Sequence, residues 1–167
     1  MTDQAARPTG AAALIVNSAG DYLLHLRDYK PGLICDPGVF SLLSGTPEEG
    51  ESPRETLLRE LAEEAGLVFD QVTPFALLPG TGPDGGLTGK GRIQIFLAHW
   101  DGDPEALRLT EGVLLRFFPA ETLGVLRTSP WAAEAVRLHQ QQLAHTEERL
   151  PPSQGAAGHD SAEGARP

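Results

Sequence analysis

The segment from Ser52 to Gly66 carries start and stop signals for a helix at both of its ends. Ser52 supplies an N-cap hydroxyl, Pro53 takes the first helical position, where a missing amide donor costs nothing, and Glu55 completes an S-x-x-E capping box. Gly66 stands where a left-handed residue ends a helix without a Cβ penalty. The pattern predicts a helix over Ser52–Ala65. At roughly 100° per residue, Leu57, Leu58, Leu61, Ala62 and Ala65 share one arc, so this helix must lie on an apolar surface. Glu60, Glu63 and Glu64 are expected on its other side.

Around the helix the chain reads mostly as strands. Ala11–Asn17 and Tyr22–Leu26 flank the turn signal Ser18-Ala19-Gly20-Asp21 and read as a hairpin. Val39–Leu43 is a short strand leading into Gly45. Thr73–Leu78 and Arg92–Trp100 are expected as strands on either side of a flexible glycine-rich loop, and Val113–Phe118 as another. Ser129-Pro130 opens a last helix with an apolar stripe through Ala132, Ala135, Val136 and Leu143. The expected architecture is a mixed α/β (α+β) domain over 11–148. It is preceded by a flexible N-terminus, 1–10, and followed by a tail, 149–167, whose composition has almost nothing to bury and reads as disordered.

Glu60, Glu63 and Glu64, spaced i, i+3 and i+4, repel one another, and two of them lie near the C-terminal end of the helix, where its dipole disfavours negative charge. Stability alone does not recommend the arrangement, whereas a hard divalent cation such as Mg²⁺ takes oxygen ligands of this kind. A solvated acidic face, compensated by Arg59, reads the same spacing without any metal. The net charge of −10 argues against polymeric nucleic acid or an anionic membrane as partner. It would also repel a polyphosphate unless a cation reversed the local field. The single cysteine, Cys35, excludes an internal disulfide and fits a reducing compartment. With no apolar run of signal-peptide or membrane-span length, a cytoplasmic protein is expected. The histidines are scattered, and His25, on an expected strand, reads as structural.

From Gly45 the chain runs five residues to Glu51 and seven more to Arg59-Glu60-Leu61-Ala62-Glu63-Glu64-Ala65-Gly66-Leu67. This resembles the Nudix box, G-x5-E-x7-R-E-U-x-E-E-x-G-U with U aliphatic, at every specified position. The resemblance implies an α/β/α sandwich around a mixed sheet. It also implies hydrolysis of a diphosphate bond in a nucleoside triphosphate or a nucleoside diphosphate-linked compound. It implies Mg²⁺, with Mn²⁺ as an alternative, held by Glu60, Glu63, Glu64 and the Gly45 carbonyl. Glu51 and Arg59 are then the orienting pair, and one of the metal-binding glutamates can double as base. Glu111, in a segment similar to one where Nudix domains carry a further glutamate, is a candidate for metal binding or water activation. A homodimer is compatible with the family but not fixed by the sequence.

The stretch Phe40-Ser41-Leu42-Leu43-Ser44-Gly45 departs from the Pro-Gly-Gly triplet and earlier tryptophan of many Nudix sequences, so Phe40 and Ser44 become candidates for substrate contact. Phe69 and Phe117 are further candidates for stacking on a base. Pro83 falls close to a proline associated with ADP-ribose hydrolases. The rival reading is a Nudix-like domain that binds a nucleotide for regulation without turning it over.

Overall fold

Gly10–Val16 (β1) is buried along nearly its whole length, which only a central strand covered on both faces allows. In the computed structural model, which describes residues 7–149, β1 pairs in parallel with Arg92–His99 (β6) and antiparallel with Tyr22–Leu26 (β2). The sheet has seven strands, ordered β3-β2-β1-β6-β5, with Phe40–Ser41 as β3 and Thr73–Pro79 as β5. Leu43–Gly45 (β4) pairs with β1, and Leu114–Phe118 (β7) pairs with β2. Pro74 and Pro79 lie on β5, at the end of that strand order, where a missing ladder donor is tolerated.

The alternation along β1 assigns each residue to one of two apolar layers. Ala11, Ala13 and Ile15 pack with Leu23, Phe96, Leu57 and Leu61 beneath the helix Pro53–Ala65 (α1). Ala12, Leu14 and Val16 pack with Tyr22, Ile95, Trp131 and Ala135 beneath the helix Pro130–Arg149 (α2). The sheet is thus sandwiched between two helices, the α/β/α arrangement the sequence suggests.

Differences from the expectation have local causes. Val39–Leu43 is not one strand: the chain pairs first with β2 through β3, passes the fully buried Leu42, and then pairs with β1 through β4. Ser44 and Gly45 therefore belong to a strand beside β1. Short 3-10 turns at Pro104–Ala106 and Ala120–Gly124 were not foreseen. The loop between β5 and β6 is internally bonded: the amides of Gly80 and Gly89 donate to Gly91 and Gly80, and Asp84 accepts from Thr88. At the N-terminus, Thr9 is already tied to Arg92 through its amide and hydroxyl. Residues 1–6 of the expected flexible segment and 150–167 of the expected tail lie outside the described residues. Among the described residues, no helix is long and apolar enough to cross a membrane.

Candidate active site

The ends of α1 match the sequence signals. The Ser52 side chain accepts from the Glu55 amide, the Glu55 carboxylate accepts from the Ser52 amide, and Gly66 adopts φ 67° while its amide returns to Ala62 and Leu61. Its buried face differs from the expected stripe. Ala62 is exposed, whereas Thr56, Leu57, Leu61, Glu64 and Ala65 are buried. Glu64 follows Leu57 by seven residues, which on a helix brings it back to within about 20° of the same direction. It therefore sits on the apolar side, and Glu60 lies at the border.

The acidic groups consequently divide in two. Arg59 organises the first set. Its Nε and Nη2 grip Glu51 at 2.8 and 3.0 Å, its Nη1 reaches Glu60 at 3.1 Å and Glu63 at 3.2 Å, and Nη2 also donates to the Thr46 carbonyl at 3.2 Å. Such a fork fixes geometry as well as charge. Glu51 accepts in addition from the Glu48 amide and the buried Thr56 hydroxyl. The Arg59 guanidinium, followed by those donors, holds the Glu51 carboxyl down to about 2.

Glu64 is the second case. It is 9% exposed, and its Oε2 is buried without a hydrogen-bond partner among the described residues. Removal from water pushes its carboxyl up to about 8, reinforced by the charges of Glu111 and Glu60, opposed by Arg27, and raised further by Glu63. A buried acceptor without a hydrogen-bond partner is costly, which sets Glu64 apart from the matched Glu51.

Glu60 and Glu64 open onto a cleft of about 550 Å³. Gly45 and Ser44 line it from β4, Glu111 from the loop before β7, Arg27 from the end of β2, and Lys90 from the loop before β6. A Cβ on Gly45 would overlap the Glu60 carboxyl, so the glycine is the space in which that side chain rests. Sequence reasoning thus brings Gly45, Ser44, Glu60, Glu64 and Glu111 to one cavity. Glu51, Arg59 and Glu63 stand behind or beside it, and the Glu63 side chain is 61% exposed.

Phe40 is not part of the cleft lining. It packs edge-on to Phe118 at 5.1 Å, in the apolar layer on the α2 side. Phe117 stacks on Trp100, and Phe69 packs against the α1 layer, so both rings serve the core. Pro83 does not line the cleft either. Arg27, Lys90, Thr9, Asp36 and Thr81 do line it and were missed. They lie on loops that meet only in three dimensions, and the 2.8 Å hydrogen bond from Thr81 to Asp36 joins two such loops.

In the conformation described, Glu60 and Glu63 are turned onto Arg59, and no group of three or more His, Cys, Asp or Glu side chains converges to hold a metal ion among the described residues. A hard cation nevertheless fits the donor set. Glu64 offers an oxygen with nothing to bond, Glu60 and Glu111 line the same cavity, and every one of these groups is an oxygen donor. Such an ion would lower the Glu64 carboxyl and end its isolation.

Comparisons with known proteins bear on the family and the fold. The NUDIX domain family model matches residues 6–139. Among solved structures, the NUDIX domain of NrtR from Shewanella oneidensis, complexed with ADP ribose, superposes with a TM-score of 0.64 at 16% identity, covering 83% of this chain and 89% of that one. The MutT NUDIX hydrolase from Burkholderia pseudomallei gives 0.62 at 22% identity, covering 77% and 95%. An Ap4A hydrolase binary complex from C. elegans gives 0.60 at 19% identity, covering 81% and 98%. At these identities the likeness establishes the shared fold.

Proposed function

The chain belongs to the Nudix family, and on that premise we propose that it is a divalent-cation-dependent hydrolase cleaving a diphosphate bond in a nucleoside triphosphate or a nucleoside diphosphate-linked compound. The observation that carries this reading is the buried Oε2 of Glu64, unpartnered among the described residues, in a side chain lining a cleft that also holds Glu60 and Glu111. Glu51, which stands outside the cleft lining, has both of its carboxylate oxygens matched.

Each residue then has a definite task. Glu60 and Glu64, with the Gly45 carbonyl and Glu63 at the rim, would hold Mg²⁺ or Mn²⁺. When bound, the cation supplies charge neutralisation on phosphate oxygens and an acidified water. Arg59 orients the carboxylates by spending its donors on Glu51, Glu60 and Glu63. Glu111 is an exposed carboxylate whose charge helps to raise the Glu64 carboxyl, and it can accept a proton from an attacking water in the cleft. Arg27 and Lys90 are the cationic side chains of the lining and suit the remaining phosphate charge. Ser44 lines the wall beside Gly45 and supports a substrate contact there. Phe40, half-buried against the apolar layer on the α2 side, has no part in this scheme.

A regulatory, non-hydrolytic role is the rival, and the ADP-ribose-bound NrtR domain shows that the fold can hold such a ligand. Purified protein should be incubated with nucleoside triphosphates, ADP-ribose, dinucleoside polyphosphates and nucleotide sugars, with Mg²⁺ or Mn²⁺ and with EDTA. Cation-dependent release of a nucleoside monophosphate or phosphate from at least one is expected. Tight binding without turnover of any would favour the rival.

A further inference from the structure

The loop that carries Glu111 is tied down on both sides. On the near side, the Thr110 amide donates to the Glu64 carbonyl at 2.8 Å, and the Thr110 hydroxyl donates to the Glu63 carbonyl at 2.9 Å. These are last-turn carbonyls of α1, which no helical amide can reach. On the far side, the Val113 amide donates to the Leu26 carbonyl at 2.8 Å. Between them, His25 Nε2 lies 2.9 Å from the carbonyl oxygen of Glu111 itself. A carbonyl only accepts, so Nε2 bears the proton. Burial lowers the basicity of this ring, consistent with a neutral imidazole in that one tautomer. Gly112 has φ 83°, and a Cβ there would overlap the His25 ring, so the loop can close on the histidine only with glycine at this position.

The Glu111 carboxylate, by contrast, makes no hydrogen bond or ion pair among the described residues, and it shares the cleft with the acidic Glu64 and Glu60. Left to itself, such a side chain on a free loop would turn to solvent. We propose that His25 is a positioning residue for Glu111: its Nε2–H, donated to the Glu111 carbonyl across the bare Cα of Gly112, holds the loop so that the Glu111 carboxylate stays at the cleft. His25 does not line the cleft and acts through the backbone of Glu111. The inference rests on the reading that Glu111 works in the cleft.

The test is a cycle of His25→Ala, Glu111→Gln and the double variant, read by Mn²⁺ affinity from electron paramagnetic resonance and by kcat and KM on the best substrate of the screen. Glu111→Gln should lower kcat by about tenfold or more and weaken Mn²⁺ several-fold, as expected for a general base beside a cation. His25→Ala should reproduce most of both losses with KM little changed. The double variant should be no worse than Glu111→Gln, since coupled residues are not additive. His25→Gln, which restores an amide donor near the Nε2 position, should recover part of the loss, and Gly112→Ala should mimic His25→Ala. A nitrogen-15 spectrum should show a neutral Nε2–H imidazole for His25, unaltered in Glu111→Gln. If Glu111→Gln changes neither readout, the role of Glu111 fails and the proposal falls with it. If Glu111→Gln is impaired while Gly112→Ala and folded His25 variants are not, or if the losses multiply, the positioning role alone is overturned.

Discussion

Glu51 and Glu64 both belong to the acidic box, yet they sit in opposite states. The Glu51 carboxylate accepts from Arg59 on both oxygens, and further from the Glu48 amide and the Thr56 hydroxyl, and its carboxyl is held down to about 2. Glu64 is buried with an oxygen that has no hydrogen-bond partner among the described residues, and its carboxyl is pushed up to about 8. The first carboxylate has everything its charge requires from the chain alone. The second lacks it. The difference distinguishes the two carboxylates more sharply than acidity does, because a buried charge is tolerable only with a partner, and the described residues supply none to Glu64 Oε2.

Replacing Glu64 should break the comparison most severely. Glu64→Gln is expected to lower kcat/KM by more than about 100-fold, exceeding what is usual for residues that only orient ligands. The same change should not destabilise the metal-free fold, since a neutral amide replaces a carboxyl that the fold already prefers uncharged. The pH dependence makes the sign explicit. For Glu64 the folded value near 8 exceeds the ordinary 4.5, so its contribution is fully present below 4.5 and is lost as pH rises through 8. For Glu51 the folded value near 2 lies below 4.5, so its contribution is present above 4.5 and is lost as pH falls towards 2. Urea midpoints in EDTA, compared between pH 5 and 9, should decline towards alkali in the wild type and flatten in Glu64→Gln. A variant that loses urea resistance along with activity would make Glu64 a structural residue.

Arg59 tests the other half. Arg59→Lys keeps the charge but not the planar fork that bridges Glu51, Glu60 and Glu63. Turnover should fall by about 10–100-fold, the usual effect of losing a residue that orients metal ligands. The loss should exceed any change in substrate KM, and the Mg²⁺ concentration giving half-maximal rate should rise. Unchanged Mg²⁺ dependence would mean that the ion cluster merely braces the loop from Gly45 to Glu51.

What could be read in advance follows the range over which each interaction acts. The limits of α1 were legible because capping involves residues three or four apart, and Ser52, Glu55 and Gly66 do what their types suggest. The sandwich followed from the resemblance of the box, whereas the parallel pairing of β1 with β6, some eighty residues on, left no local trace. Of the residues lining the cleft, Gly45, Glu60, Glu64 and Glu111 were visible as residue types at informative places. The burial of Glu64 was present in its seven-residue spacing from Leu57 but was obscured by grouping it with the other glutamates. Arg27, Lys90 and Thr9 were not legible, since nothing in a loop's own sequence says which cavity it will border. Phe40 misled for the converse reason: an aromatic beside the box suggests stacking, but which face of the sheet it takes is set by the pairing of β3 with β2.

The mildest test concerns a carboxylate that is satisfied without Arg59. Glu55 accepts from the Ser52 amide at 2.8 Å, and the Ser52 hydroxyl completes the box at the start of α1. Ser52→Ala removes the hydroxyl half of that exchange and should cost about 1 kcal/mol of stability, the usual value for an N-cap. The cost should register in urea unfolding at pH 7, whereas kcat and its Mg²⁺ dependence should be unaffected. The cap lies at the opposite end of the helix from Glu63 and Glu64, and α1 is also held by Leu57, Leu61 and Ala65 against the sheet. Fraying the first turn therefore need not move the last. A fall in kcat with Ser52→Ala would show instead that the strain passes through Thr56, which donates to both the Ser52 carbonyl and Glu51, and so reaches Arg59. In that case scaffold and site would be one cooperative unit, and the contrast between Glu51 and Glu64 would describe two ends of a single network.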